Sequence, residues 1–332
     1  MRRFFKRIII FISFPLFIIL FMDSSLRMQN TLYKEKYEGA KETQDSIEIV
    51  ILGTSRATYG VNPEAFNMYA YNLANLGQSL YFDKRITLSL LSEMPQLKYV
   101  FISIDYHSLA FSSQFDRDYW SYYGNGIKYK DADYFWANIS PTLFGYTPKV
   151  AFAMIKNRCM NLWKYGNEII DFEVQADVDL YTPAVKGFIA YNGRDTANFN
   201  HDAYVTSSTW YTEVIDESNE REEILEDLED FIEILLAEGV TPILFTPPTY
   251  IEYNNYLNSS YIEENIKDSE KIAQKYDIEY WDFHNSDIFS IEDYHDMEHL
   301  NKEGSLKFST MLNDSINKKE MKLNKQNLPN KQ

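Results

Sequence analysis

One cysteine, Cys159, stands in a chain of 332 residues, which excludes an internal disulfide and suggests no cysteine-based metal site. The stretch 150–160 around it reads as a helix, with Cys159 as a small buried apolar side chain rather than a nucleophile. Histidine is scarce as well, with five copies, so a general base has few candidates. Basic charge is also short: 32 Lys and Arg face 49 Asp and Glu, for a net charge of −17. The cations gather at the ends. Arg2, Arg3, Lys6 and Arg7 meet no acid in the first 22 residues, and residues 318–332 hold five lysines against one glutamate. The body between them is therefore strongly acidic. It repels nucleic acid phosphates, which excludes that partner class; such acidity suits the solubility of an exported domain. No repeat of solenoid period is present.

The N-terminus is the first positive signal. Residues 8–22 are uncharged, and Phe4 and Phe5 extend the run while nearby cations snorkel to the headgroups. Together they approach the roughly 20 apolar residues that a span needs. Basic residues ahead of the run predict a cytoplasmic N-terminus and an exported remainder. Residues 21–26 (Phe-Met-Asp-Ser-Ser-Leu) show no small-residue cleavage site, so an uncleaved anchor over 1–22 is expected rather than a removed signal peptide. Pro15 is tolerated inside such a helix. Residues 23–46 are polar and read as a stalk or short helix. A hydrophobic content of 45% with 16% aromatics supplies a sizeable core for the rest of the chain.

From residue 47 strands and helices alternate. The strands are 47–52, 70–73, 98–104, 241–246 and 279–283; the helices are 81–94, 220–238, 259–276 and 302–317. The first strand is nearly continuously apolar, as buried parallel strands are. The alternation predicts an α/β domain over 47–317, a parallel sheet with helices on both faces and ligands at the carboxyl ends of the strands. Residues 106–215 break the rhythm. They are dense in aromatics, including Tyr119, Trp120, Tyr122, Tyr123, Phe135 and Trp136, with a helix near 147–164. They read as a long insertion, either a cap over the strand ends or an ordinary packed subdomain. Lys186-Gly187-Phe188 and Asn192-Gly193-Arg194 read as turns without chemistry. The Lys/Asn/Gln-rich tail 318–332 is expected to be disordered.

Three short stretches carry chemistry. Gly53-Thr54-Ser55-Arg56 follows the first strand, Asn75-Leu76-Gly77 follows the second, and Asp296-Met297-Glu298-His299 lies near the C-terminus. Gly53 allows a tight turn, and Ser55 then opens a helix at the strand's carboxyl end, where backbone N–H groups face a developing oxyanion. Serine is also a common helix cap, so this stretch alone is weak evidence. A serine hydroxyl needs a base. His299 is the candidate, with Asp296 three residues earlier to fix its tautomer and stabilise the imidazolium; the bland alternative is a surface histidine at a helix start. His295 beside Asp293 is the decoy. The segment lacks the spacing of a Ca²⁺ loop, and no metal or cofactor is expected. Arg56 either pairs with an acid or contacts an anionic or sugar substrate, and Asp105 is the other candidate substrate contact.

Taken together, these stretches resemble the SGNH (GDSL-like) hydrolase superfamily over residues 48–105 and 240–317. The resemblance implies a flavodoxin-like three-layer sheet, Ser55 as nucleophile, His299 as base, Asp296 as orienting acid, and oxyanion donors in the backbone N–H groups of Ser55 and Gly77. One family element is missing. The third block normally supplies Gly-x-Asn-Asp, whose asparagine donates to the oxyanion; here the third strand ends Ser103-Ile104-Asp105-Tyr106-His107. An ionised Asp105 cannot donate, which leaves Tyr106, His107 or an insertion residue as substitute donors. The anchor, Gly-x-Ser-Arg and the long insertion resemble a membrane-tethered branch similar to the teichoic acid D-alanyl transfer protein and exopolysaccharide O-acetyl transfer proteins. That implies an extracytoplasmic serine esterase or O-acyltransferase on cell-envelope glycan or teichoic acid, often beside a membrane-bound O-acyltransferase. The alternative is a catalytically weak or inactive module that binds glycan or an acyltransferase partner.

Overall fold

Five short segments rich in buried aliphatic and aromatic residues assemble into one parallel sheet in the computed structural model. The structure describes residues 2–27, 32–112 and 185–326, with isolated positions at 122, 127, 140, 152, 155–156, 159–160 and 163. The strands are β1 (Ile49–Leu52), β2 (Ala70–Asn72), β3 (Tyr99–Ser103), β4 (Thr241–Thr246) and β5 (Glu279–Asp282), ordered β2-β1-β3-β4-β5. All four residues of β1 are fully buried, because helices cover both faces of the sheet. Register is parallel throughout, with Ile51 opposite Asn72 of β2 and Phe101 of β3.

One face carries α3 (Ser55–Gly60) and α9 (Lys302–Gln326), packed on each other. Ile49, Ile51, Phe101, Ile243 and Phe245 share a core there with Ala57 of α3 and Phe308, Leu312 and Ile316 of α9. The opposite face carries α4 (Leu80–Leu91), α6 (Arg221–Ala237) and α8 (Ser259–Tyr276). Lys84 of α4 joins Asp227 of α6 at 2.6 Å. The order 2-1-3-4-5 reverses direction at β1, so the carboxyl ends of β1 and β3 flank the switch point at which such sheets bind ligands.

Two compact units divide the chain: 1–37 with 114–178, and 38–113 with 179–332. The first contains α1 (Arg2–Arg27), of which residues Arg3–Ser25 are long and apolar enough to cross a membrane. It therefore runs past the expected 1–22. Between α1 and β1 lies α2 (Leu32–Thr43), where a stalk or short helix was expected. In the first unit Tyr122 packs edge-on against Tyr33 at 4.8 Å. Most of the expected helix near 147–164, and Tyr119, Trp120, Tyr123, Phe135 and Trp136, lie outside the described residues. Cys159 corrects the expectation of burial: it is exposed, as are the described positions Phe152, Met160 and Trp163 near it.

In the second unit the expected insertion contributes α5 (His201–Glu217) and the segment before it. The Asn72 N–H donates to Lys186 O at 2.9 Å, which ties residue 186 to the β2 edge. A four-residue helix, α7 (Ile251–Asn254), follows β4. The tail differs from expectation: residues 318–326 continue α9, because the Tyr99 hydroxyl bonds Glu320 and Lys319 bonds Glu279 at 3.0 Å. Residues 327–332 lie outside the described residues.

Candidate active site

Ser55 is the first residue of α3, directly beyond β1. Three features hold it there. Gly53 adopts φ +132°, and a Cβ on it would meet the Ser103 Cβ at 2.4 Å, so only glycine fits against β3. The Thr54 Oγ caps α3 by accepting from the Arg56 N–H at 3.3 Å. Asn72 then locks the far end of the helix: its Nδ2 donates to Ala57 O at 2.9 Å and Val61 O at 2.8 Å. The second stretch docks on the first through Asn75 N–H to Gly53 O at 3.0 Å, and Gly77 turns with φ +61°.

The C-terminal stretch arrives as a tight turn. Asp296 Oδ1 accepts the backbone N–H groups of Glu298 and His299, each at 2.8 Å, and His295 N–H donates to His299 O at 2.8 Å. This places the His299 Nδ1 2.9 Å from Asp296 Oδ2 and 3.0 Å from Oδ1. On the other side of the ring, Nε2 lies 2.8 Å from Ser55 Oγ. With Nδ1–H directed at the carboxylate, Nε2 is left as acceptor for the serine proton. Tyr59, one turn after Ser55, meets the imidazole edge-on at 5.5 Å. The His299 and Asp296 side chains remain 16% and 20% exposed, enough for a substrate to reach them.

Electrostatics fit the geometry. Burial opposes charge on both His299 and Asp296, but their mutual attraction and hydrogen bonds outweigh it. His299 is raised above the ordinary histidine value, and Asp296 is held down at about 2. A hydroxyl, an imidazole and a carboxylate in this order can move a proton from Ser55 to Nε2 as Oγ attacks a carbonyl. Ser55 N–H lies in the first turn of α3, where no intrahelical acceptor exists.

Several expected partners sit elsewhere. Asp105 is fully buried. It accepts from Thr54 Oγ and, at 2.8 Å, from Ser103 Oγ, so it braces the nucleophile turn against β3 and is not a substrate contact. Arg56 is buried as well. Its Nη2 lies 3.6 Å from Glu298 Oε2, so of its two expected roles it takes the pairing one. The Tyr106 hydroxyl accepts the Asn258 N–H at 3.0 Å, and its ring packs on Tyr211 and Tyr261. His107 is stacked between Phe111 and Tyr211, and burial, then Arg56, pushes its pKa down to about 4. Neither side chain is bonded to the Ser55–His299 pair. His295 is used elsewhere: its Nδ1 donates to Gly193 O at 2.7 Å, and its ring stacks on Tyr191 at 3.7 Å. Asp293 bonds Lys307 at 2.9 Å. Among the described residues no cluster of His, Cys, Asp or Glu is arranged to hold a metal.

Sequence reasoning missed three residues around the site. Asn72 carried one signal, a polar side chain inside a short buried strand, which must find partners. Asp83, on α4, accepts the Gly53 N–H at 3.1 Å and Gln78 Nε2 at 2.7 Å; burial pushes it up to about 8. Glu298 accepts hydroxyls from Ser207 and Tyr211 of α5 and Tyr253 of α7, and nothing local in the sequence announces those distant donors.

Comparison with known proteins adds little. No family model matches the chain, and no curated protein matches it. Among solved structures it is similar to one described as that of a "putative platelet activating factor from Streptococcus pneumonia". Identity is 11% and the TM-score 0.40, over 92% of this chain and 98% of that one. A likeness at that level carries no argument about fold or function.

Proposed function

We propose that the protein is a membrane-anchored, extracytoplasmic serine esterase or O-acyltransferase of SGNH (GDSL-like) type. The observation that carries this reading is the 2.8 Å contact of Ser55 Oγ with His299 Nε2, continued at 2.9 Å from Nδ1 to Asp296. Ser55 Oγ attacks the ester carbonyl while its proton passes to Nε2. The oxyanion that forms is met by the N–H groups of Ser55 and Gly77. Collapse breaks the ester C–O bond, and the imidazolium returns the proton to the departing alcohol. The acyl-Ser55 intermediate is then attacked by water or a polymer hydroxyl, whose proton passes to Nε2, and Ser55 leaves with that proton.

Envelope polysaccharide or teichoic acid is the proposed acceptor, because the apolar N-terminal helix would hold an acidic domain at the membrane surface. A membrane-bound O-acyltransferase is the proposed supplier of acyl groups. With Asp105 and the Tyr106 hydroxyl engaged elsewhere, the backbone N–H groups of Ser55 and Gly77 are the two donors proposed for the oxyanion. The loss of a third typically costs about 10²–10³ in rate. That favours slow turnover, and it is the observation behind a second reading, a non-catalytic glycan- or partner-binding module.

Ester hydrolysis by the full chain in detergent, with an activated acetyl ester, tests the choice. The native protein should turn over, and Ser55→Ala and His299→Ala should each lower kcat by about 10³-fold or more. Equal rates in all three proteins would leave only the binding reading.

A further inference from the structure

We propose that Glu298 and Arg56 are a pair of positioning residues whose opposite charges set the protonation of the His299 imidazole. The inference rests on the acyl-serine reading, since it gives a role to the neighbours of that triad. Ser55 and Arg56 are consecutive at the start of α3, and Glu298 and His299 are consecutive in the turn. The two pairs form two rungs: Ser55 with His299 at 2.8 Å and Arg56 with Glu298 at 3.6 Å.

The second rung is built as a fixed charge. Glu298 Oε1 accepts the hydroxyls of Ser207 at 2.7 Å and Tyr253 at 2.8 Å, and Oε2 accepts Tyr211 at 2.9 Å. Its side chain is 11% exposed. Burial would protonate it, but Arg56, then His299 and the Ser207 hydroxyl, keep it below the usual carboxylate range. The Arg56 Nε and Nη2 groups have no hydrogen-bond partner, so the pair couples through charge and not through a bidentate fork. The groups that face the imidazole are Asp296 and Glu298 from its own turn, and Ser55, Arg56 and Tyr59 from α3. Tyr191, with His295 stacked on its ring, lies at 5.9 Å. The Arg56 guanidinium lies over the Tyr211 ring at 5.9 Å, and its charge also acts on Asp105, His107, Tyr253 and His284.

A pair that merely packs would lower kcat at every pH when broken. A charge pair predicts opposite signs. Glu298→Gln keeps an acceptor for the hydroxyls and removes the negative charge, so the His299 pKa falls. Arg56→Met removes the positive charge, so it rises. Each shift should be about half a unit or more, and the double variant should return close to native. Arg56→Lys keeps the charge and should stay near the native value. The readout is the His299 imidazole NMR titration of the full chain in detergent, together with the acidic limb of kcat/KM. Shifts of the same sign in both single variants, or in neither, overturn the proposal. If one variant does not fold, the other still has a required sign. The titration needs no turnover, so a protein that never acylates Ser55 would sink the acyl-serine reading separately from the charge pair.

Discussion

Asp83 and Asp296 show how burial and partners push two carboxyls in opposite directions within one site. Asp83 lies beneath Gly53 with one oxygen bonded and Oδ2 without a partner, and burial raises its pKa to about 8. The folded chain thus holds a proton there that the unfolded chain releases near pH 4. Its contribution to stability is complete below the ordinary carboxylate range and is lost as pH rises through about 8. Asp296, held at about 2 by His299 and backbone N–H groups against the cost of burial, does the reverse. Its contribution is present above about pH 4 and is lost as pH falls toward 2. Asp83→Asn should therefore be more stable than the native protein at pH 8–9, by roughly 1–3 kcal/mol, and no more stable at pH 4. Urea unfolding at the two pH values checks this; an Asn variant weaker at pH 9 would contradict it. Ser55, Asp296 and His299 were legible as candidates that meet in space because their signals are local: a serine after a glycine turn, and an Asp-x-x-His on one tight turn. Asp83 and Glu298 were not, because what makes them matter arrives from residues far away in sequence: Gly53 for Asp83, and Ser207 and Arg56 for Glu298.

Elements were legible where one physical signal dominated. β1 is apolar at every position and α6 has an apolar stripe at helical spacing, so each reads correctly from composition and period. β2 has only three residues, and its role comes from one of them. Asn72 ties α3 to the turn that carries Asn75 and Gly77. Asn72→Ala would take the side-chain donor from the Val61 carbonyl, one of two donors from the Ala57 carbonyl, and the acceptor from the Ala74 N–H. It should cost about 1–3 kcal/mol and lower kcat more than it raises KM, as loss of nucleophile placement would; unchanged kcat would show that α3 keeps its position without it. The C-terminal helix was misread for the opposite reason. Its last turns are rich in Lys, Asn and Gln, which suggests a disordered tail, but helices take most of their stability from tertiary contacts. Truncation after Asn317 removes Lys319 and Glu320, both anchored to the sheet. It should lower Tm by several degrees, which a thermal scan of the full and shortened chains would read.

At the scale of the whole molecule, sequence and structure agree on an apolar N-terminal helix and an α/β sheet unit, and the loops at the carboxyl ends of the strands bring Ser55, His299 and Asp296 together. What composition could not show is that the expected insertion gives its last part, α5, to the sheet unit, because hydroxyls at Ser207 and Tyr211 look like any others until Glu298 lies beside them. The apolar helix predicts that the full chain stays with membranes through alkaline carbonate extraction; release by carbonate would point to a removed signal peptide. The central claim is narrower: Ser55 forms a covalent ester during turnover. Rapid quench of the full-length protein with an activated acetyl ester, followed by intact mass and peptide mapping, measures it directly. One acetyl group on Ser55, absent from Ser55→Ala and accumulating when His299 is replaced only at a greatly reduced rate, is the predicted result. Folded native protein that turns over ester without any adduct on Ser55, or that never turns over, would contradict it.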